Sequence, residues 1–265
     1  PTEALQATLF AEIKGRIKQT DMSVPYREGD YTYYTRYEDG REYPIYCRRP
    51  IESPQPSPRP SEQVLLDVNL LAEGHDFFSL GGAAVSPDGT LLAYATDVVG
   101  DERYTVRVKD LRTCDLLPDV VEGVIGGATW DRAGEHLYYV TVDESWRADK
   151  VWRHALGTDQ DADELVHHET DGRFFTSVGR TRSDRFMVVA SGSKTTTEYR
   201  LLDADDPDRG WWVFAEREEG VEYSLDHGVL GGQDALLVLH NATGPDFELG
   251  VAPCAPTPRA QWRPL

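Results

Sequence analysis

Apolar residues return every fourth position at the start of the chain, at Leu5, Leu9, Ile13 and Ile17. That spacing places them on one stripe of a helix. The polar step Thr20-Asp21 and the pair Val24-Pro25 end the pattern, so residues 1–25 are predicted to form a short helical arm whose stripe needs a cover. After Pro25 the pattern changes to short β-rich runs. Tyr31 to Tyr34 and Tyr43 to Cys47 flank Glu38-Asp39-Gly40 and predict a hairpin. Pro50, Pro54, Pro56, Pro58 and Pro60 follow. Proline cannot donate to a sheet ladder, so this cluster predicts a loop insertion.

A repeat becomes visible from residue 84. Ala84 to Gly89 predicts a turn, followed by strands at Leu91 to Thr96 and Tyr104 to Lys109. Ala128 to Gly134 repeats it, with Leu137 to Val142 and Val151 to His154 behind. A third copy has Phe186 to Ala190 and Glu198 to Leu202, and a fourth has Leu236 to His240 and Phe247 to Val251. The turn positions Gly89, Gly134, Asp184 and Asp234 are 45, 50 and 50 residues apart, and Asp30 lies 59 residues before Gly89. A period of 40–50 residues that holds several short strands predicts propeller blades. The fold class is therefore all-β: a partial β-propeller of about four to five blades over residues 26–265, behind the helical arm. The count is about four and a half units, few for a closed ring. Uncovered sheet faces and edges then lead to an expectation of association or partial unfolding.

Charge changes the picture of partners. The formal net charge is −19. Residues 1–50 hold eight basic and eight acidic side chains, so the whole excess lies in residues 51–265, with 19 basic against 38 acidic. An acidic body repels phosphate backbones and attracts cations, so nucleic acid is excluded as an expected partner. Solubility alone would also account for the charge. No stretch approaches the roughly 20 apolar residues of a membrane-spanning helix, so no membrane partner is expected. Cys47, Cys114 and Cys254 share no CxxC spacing, which fits a reducing, cytoplasmic setting better than a disulfide framework or a zinc site. The chain opens inside a helix without an initiator Met, and the expectation is a piece of something longer.

Candidate chemistry is sparse. No Ser sits in a Gly-x-Ser-x-Gly elbow. Ser191-Gly192-Ser193-Lys194 matches Ser-x-x-Lys, but in a strand-to-turn context with its partner motifs missing. Asp159, Asp161 and Asp163 have the alternate spacing that begins a calcium loop, which Glu164 and Thr170 then break at its sixth and twelfth positions. A solvated inter-strand loop is expected there, and again at Asp203, Asp205, Asp206 and Asp208. His167 and His168 are adjacent, so on a strand they point to opposite faces and cannot share one ion. Asn241-Ala242-Thr243 is a glycosylation triplet without a secretory route, and Gly123 to Gly127 has the wrong spacing for a phosphate loop. Trp130, Trp146, Trp152, Trp211, Trp212 and Trp262 are expected to pack blades. No catalytic, metal-binding or cofactor-binding residue is assigned, no cofactor is implied, and substrate-binding residues are left open.

One ordered set of phrases goes further: Gly15 to Asp21, Ser23 to Arg27, Tyr43 to Arg49, Glu73-Gly74-His75, Ala84 to Gly89, Val108 to Thr113, Val140 to Glu144, Val151 to His154, Gly157 to Asp159 and Ser193 to Thr196. It resembles the prolyl oligopeptidase family of serine peptidases, in its oligopeptidase B branch, over nearly the whole chain and more weakly after about Asp226. The resemblance implies a seven-bladed propeller that caps an α/β-hydrolase domain carrying a Ser-Asp-His triad. It implies hydrolysis of short peptides, after Lys or Arg in this branch, with the propeller restricting access. Residues 1–25 would pack on that hydrolase domain, and short basic peptides would be the substrates. No triad position can be carried over, so the chain alone is expected to be inactive. The alternative is a stand-alone, non-catalytic propeller acting as a protein-interaction module.

Overall fold

The computed structural model describes residues 2–51 and 62–265. Its contacts divide into two units, one up to Phe78 and one from Ser79 to Leu265. The first begins with helix α1, Glu3–Arg16, where the fourfold spacing places it. Glu3 in the first turn and Lys14 and Arg16 in the last complement the helix dipole. The helix stops where Ile17 turns to extended backbone. None of its side chains is buried: Leu5 is 59%, Leu9 46% and Ile13 62% exposed.

Strands β1 (Tyr26–Glu28), β2 (Tyr31–Arg36), β3 (Ile45–Pro50) and β4 (Gln63–Asp67) then form one antiparallel sheet in chain order. The predicted hairpin is present, with Tyr34 opposite Cys47 and Arg36 opposite Ile45. Tyr34, Ile45 and Cys47 form its small core. Pro50 closes β3 opposite Tyr31 instead of belonging to a loop, and the other four prolines of the cluster lie outside the described residues. A short helix α2, Val68–Ala72, follows, capped by the Asp67 carboxylate accepting from Asn69 N. Asn69 fastens it back: its amide accepts from Tyr43 N and donates to Tyr43 O, each at 2.9 Å.

The second unit holds three sheets. The largest runs β5 (Ser79–Val85), β6 (Leu91–Asp97), β7 (Tyr104–Asp110), β8 (Leu116–Trp130), β9 (His136–Val142), β10 (Ala148–Ala155) and β11 (Glu164–His168), all antiparallel neighbours. Strand β8 is shared. Its first half, Leu116 to Val124, pairs with β7, and its second, Val124 to Trp130, pairs with β9. Two four-stranded blades therefore meet inside one strand. Strands β12 (Phe175–Arg180), β13 (Phe186–Gly192), β14 (Thr197–Asp203) and β15 (Trp212–Val213) make the next sheet. The last comprises β16 (Tyr223–Leu230), β17 (Gln233–His240), β18 (Glu248–Ala252) and β19 (Arg263–Pro264). With β1–β4 the described residues form five four-stranded units, at the upper end of the expected count.

The core of the second unit lies between sheets. Successive side chains on a strand point to opposite faces, and here both faces are covered. Leu137 and Tyr139 of β9 pack with Val106, Val108 and Trp130 toward the preceding blade. Their neighbours Tyr138 and Val140 pack with Met187, Val189 and Leu202 of the following blade. Phe186 and Leu201 then face Tyr223, Leu236 and Val238 of the last blade. Such strands read as nearly continuous apolar runs because neither face sees water. Trp130, fully buried, also donates its indole N–H to the Ala84 carbonyl at 2.9 Å, tying the first strands of two blades.

Those strands approach closely at glycines. A Cβ on Gly82 would lie 3.3 Å from the Gly127 Cα, and one on Gly81 would overlap the Gly126 carbonyl oxygen. The glycines unsuited to a phosphate loop thus serve a backbone contact between blades. Gly81→Ala is expected to cost about 1–3 kcal/mol. Gly179→Ala, with open space around it, should stay within about 0.5 kcal/mol, and paired urea titrations of the two variants check this.

Candidate functional site

The cleft with the most chemistry in the second unit lies where β11 hands over to β12. Glu169 follows β11 and is buried. The loop after it is clamped by Arg147, whose guanidinium donates to the carbonyls of Glu169, Asp171 and Phe174 at 3.0, 3.2 and 3.3 Å. Asp143 orients Arg147 through a 3.0 Å bond to its Nε. On the opposite wall, the β13–β14 turn closes on itself: Ser193 N donates to Thr196 O at 2.8 Å, and Ser193 Oγ accepts from Thr196 N at 3.1 Å. Lys194 and Thr195 are left exposed at its tip.

Arg217 joins the walls. Its guanidinium pairs with Glu169, approaches Glu198 at 3.3 Å and lies 4.0 Å over the Phe174 ring. Two carboxylates and one aromatic face thus fix a cation that is itself only partly buried. The cleft encloses about 690 Å³ and is lined by Arg173, Phe174, Phe175, Lys194, Arg217 and Glu219, among others. Burial pushes the Glu169 carboxyl up, but hydrogen bonds from Arg217 and Asp171 N together with the Arg217 charge outweigh it and hold the group below the usual range. Asp171 is pulled down to about 2, first by its hydrogen bond from the Arg173 side chain. Both acids are therefore fixed anions that serve the architecture of the cleft.

Ser191, next to Gly192 and Ser193 of the lining, meets His167 of β11. Ser191 is buried, with its Oγ 3.3 Å from His167 Nε2. The same Nε2 is 3.9 Å from Glu169 Oε2, so serine and acid both approach one ring nitrogen. A relay would need them on opposite nitrogens, and this trio supports packing instead. Lys194, four residues into the Ser-x-x-Lys match, is at the exposed turn and away from the buried serine.

Other sequence features find structural places. Asp163 is not part of a solvated loop: it accepts from Tyr139 OH at 2.7 Å and meets fully buried His154 at 2.7 Å. Asp119 contacts the other imidazole nitrogen at 3.2 Å. This buried array was missed in the sequence because Asp119 and His154 are far apart in the chain and neither carries a motif. Asp203 and Asp205 also differ from the expected solvated loop. Arg185 grips Asp203 at 2.8 Å through two nitrogens, while Asp205 pairs with both Arg185 and Arg132 and so links two blades. Asp206 and Asp208 remain exposed.

His168 turns away from His167 toward Asp149, at 3.3 Å. Asn241 fastens a loop by accepting from Glu222 N at 2.8 Å. Five tryptophans pack as expected, such as Trp262 stacked on Phe214 at 5.7 Å. Trp146 instead is exposed on a turn, under the Arg103 guanidinium at 4.9 Å. Burial pushes the Cys47 and Cys254 thiols up to about 11, which makes them poor nucleophiles. Among the described residues no group of three or more His, Cys, Asp or Glu side chains is placed to hold a metal ion, and no helix is long and apolar enough to cross a membrane.

Comparison with known proteins adds a family. A family model described as the N-terminal β-propeller domain of prolyl oligopeptidase matches residues 1–265. The chain is 38% identical to dipeptidyl aminopeptidase BI of Pseudoxanthomonas mexicana over 99% of its own length and 37% of that protein's. It is 35% identical to protease 2 of Moraxella lacunata, covering 94% of itself and 36% of the relative. Among solved structures, oligopeptidase B from Leishmania major superposes with a TM-score of 0.86 at 32% identity, over 95% of this chain and 35% of that one. The chain thus spans a little over a third of the length of the relatives it matches.

His167 supplies a pH signature for the cleft. Burial, then the nearby Arg200 charge, lowers it from 6.5 to about 4. An unfolded chain takes up this proton near 6.5, and the folded chain only near 4, so stability falls as pH drops through that window. The urea midpoint should decline between pH 7.5 and 4.5, and His167→Gln, which keeps a hydrogen-bonding group without a titrating one, should lessen the decline. An unchanged pH dependence would contradict this role.

Proposed function

Because the chain belongs to the prolyl oligopeptidase family, matching its N-terminal β-propeller domain over residues 1–265, we propose that it is the substrate-filtering part of a serine-type oligopeptidase. The whole enzyme hydrolyses short peptides after Lys or Arg. An α/β-hydrolase domain outside this chain supplies the nucleophile, and residues 1–25 pack on it. The single observation that carries the reading is the family match along the full chain, with oligopeptidase B and protease 2 among the similar proteins. Two features support the finer parts. The uncovered Leu5, Leu9 and Ile13 stripe of α1 is an apolar face of the kind that docks on a partner domain. The acidic excess in residues 51–265 raises the local concentration of cationic peptides and speeds their capture. Free cysteines support a reducing, cytoplasmic setting.

The 38% identity to dipeptidyl aminopeptidase BI favours a second reading, release of dipeptides from a free N-terminus. Acetylated and unblocked peptides with the same basic residue separate the two, because an acetyl cap stops only the aminopeptidase.

The acidic-steering part makes its own prediction. Asp159, Asp161, Asp206 and Asp208 are exposed, and changing all four to Asn in the full-length enzyme should lower kcat/KM for Arg-containing peptides by roughly twofold to tenfold at low salt. The difference should vanish near 0.5 M salt, where the Debye length is only a few ångströms. Stopped-flow or steady-state assays at two salt concentrations check it, and an unchanged rate at both would remove the steering role.

A further inference from the structure

The cleft between the β11–β12 loop and the β13–β14 turn departs from the charge of the rest of the molecule. Residues 51–265 hold twice as many acids as bases, yet this cleft gathers Arg173, Lys194 and Arg217 against Asp171 and Glu219. Arg173 is taken by Asp171 at 2.8 Å, and Arg217 by Glu169 and Glu198. Lys150 elsewhere in the unit is taken by Asp149 at 2.9 Å. Lys194 differs. It stands exposed at the turn tip with no ion-pair partner among the described residues. One positive charge at the mouth of the cleft is thus unspent.

Phe175 beside it is also uncovered. It opens β12 directly opposite Gly192, so no cross-strand side chain lies over its ring, and it is 57% exposed. Phe174, just before β12, is buried under Arg217 and gives the same cleft a rigid wall. A free cation and a bare aromatic ring on one rigid cleft match a ligand with a carboxylate next to an apolar side chain.

We propose that this cleft is a subsite for the C-terminal residue of a short peptide, with Lys194 Nζ meeting the terminal carboxylate and the Phe175 ring receiving the side chain. The proposal rests on the reading that the chain serves a peptidase, and it deepens that reading. Anchoring by a free C-terminus favours short peptides, since in a folded protein the single terminus is rarely near the cut site. Charge complementarity with the unpaired Lys194 ammonium selects a single carboxylate, while Glu219 and the acidic surroundings disfavour ligands that carry further negative charge.

The test is binding by the full-length protein, followed by saturation-transfer NMR. The probes are acetyl-Gly-Gly-Phe with a free carboxylate and the same tripeptide as its amide. The acid should bind about threefold more tightly than the amide, the size of one exposed ion pair, and the preference should shrink in 0.5 M salt. Lys194→Gln should abolish the preference, Lys194→Arg should keep it, and Phe175→Ala should weaken both probes alike. Circular dichroism melts establish that each variant is folded. Equal binding of acid and amide, no binding of either, or a preference that survives Lys194→Gln overturns the proposal. Because the readout is binding alone, a full-length protein that fails to cut peptides would remove the peptidase reading and leave this result standing.

Discussion

A four-stranded antiparallel sheet with apolar residues on both faces cannot cover itself, and that constraint governs this protein. Each inner blade of the second unit is stable only between two others. Strand β9 makes the point: Leu137 and Tyr139 serve one interface and Tyr138 and Val140 the other. The polar ties follow the same rule. Trp130 reaches Ala84 across one junction, while Asp205 bridges Arg185 and Arg132 across the next. Arg217, after β15, meets Glu169, which follows β11 of the neighbouring blade. The cleft exists because two blades meet there and because Arg217, paired with Glu169 and Glu198, fixes the loops at the seam.

How much of this could be read from the chain depends on where the information sits. Strands with an apolar residue at nearly every position, such as Leu137 to Val142 and Phe186 to Ala190, stand out in the sequence, and the structure has them within a residue or two. The first strands of the blades do not. Strand β12 buries little more than Thr176, and β16 alternates weakly, so neither carries a period that propensity could detect. Strand β8 was hidden by its glycines, which break strand patterns yet are required by the backbone approach of Gly82 to Gly127.

The cleft was still less legible. Ser193 and Lys194 were visible as a motif fragment, but for a chemistry that the buried Ser191 does not support. Glu169, Glu198 and Arg217 carry no local signature, because their meeting depends on the packing of separate blades. The same holds for His154 between Asp119 and Asp163. Family resemblance was legible because it rests on ordered phrases along the chain, and a resemblance of that kind survives where single sites do not.

In the proposed function the blades stand in front of a hydrolase domain and exclude substrates by size, and that exclusion is its central claim. The most direct measurement is kcat/KM of the full-length enzyme on one cleavable Arg sequence, presented in a series of peptides of increasing length and finally in a surface loop of a folded protein. The account predicts cleavage of the short members, a steep loss with length, and no cleavage within the folded protein. Equal cleavage throughout the series would contradict it.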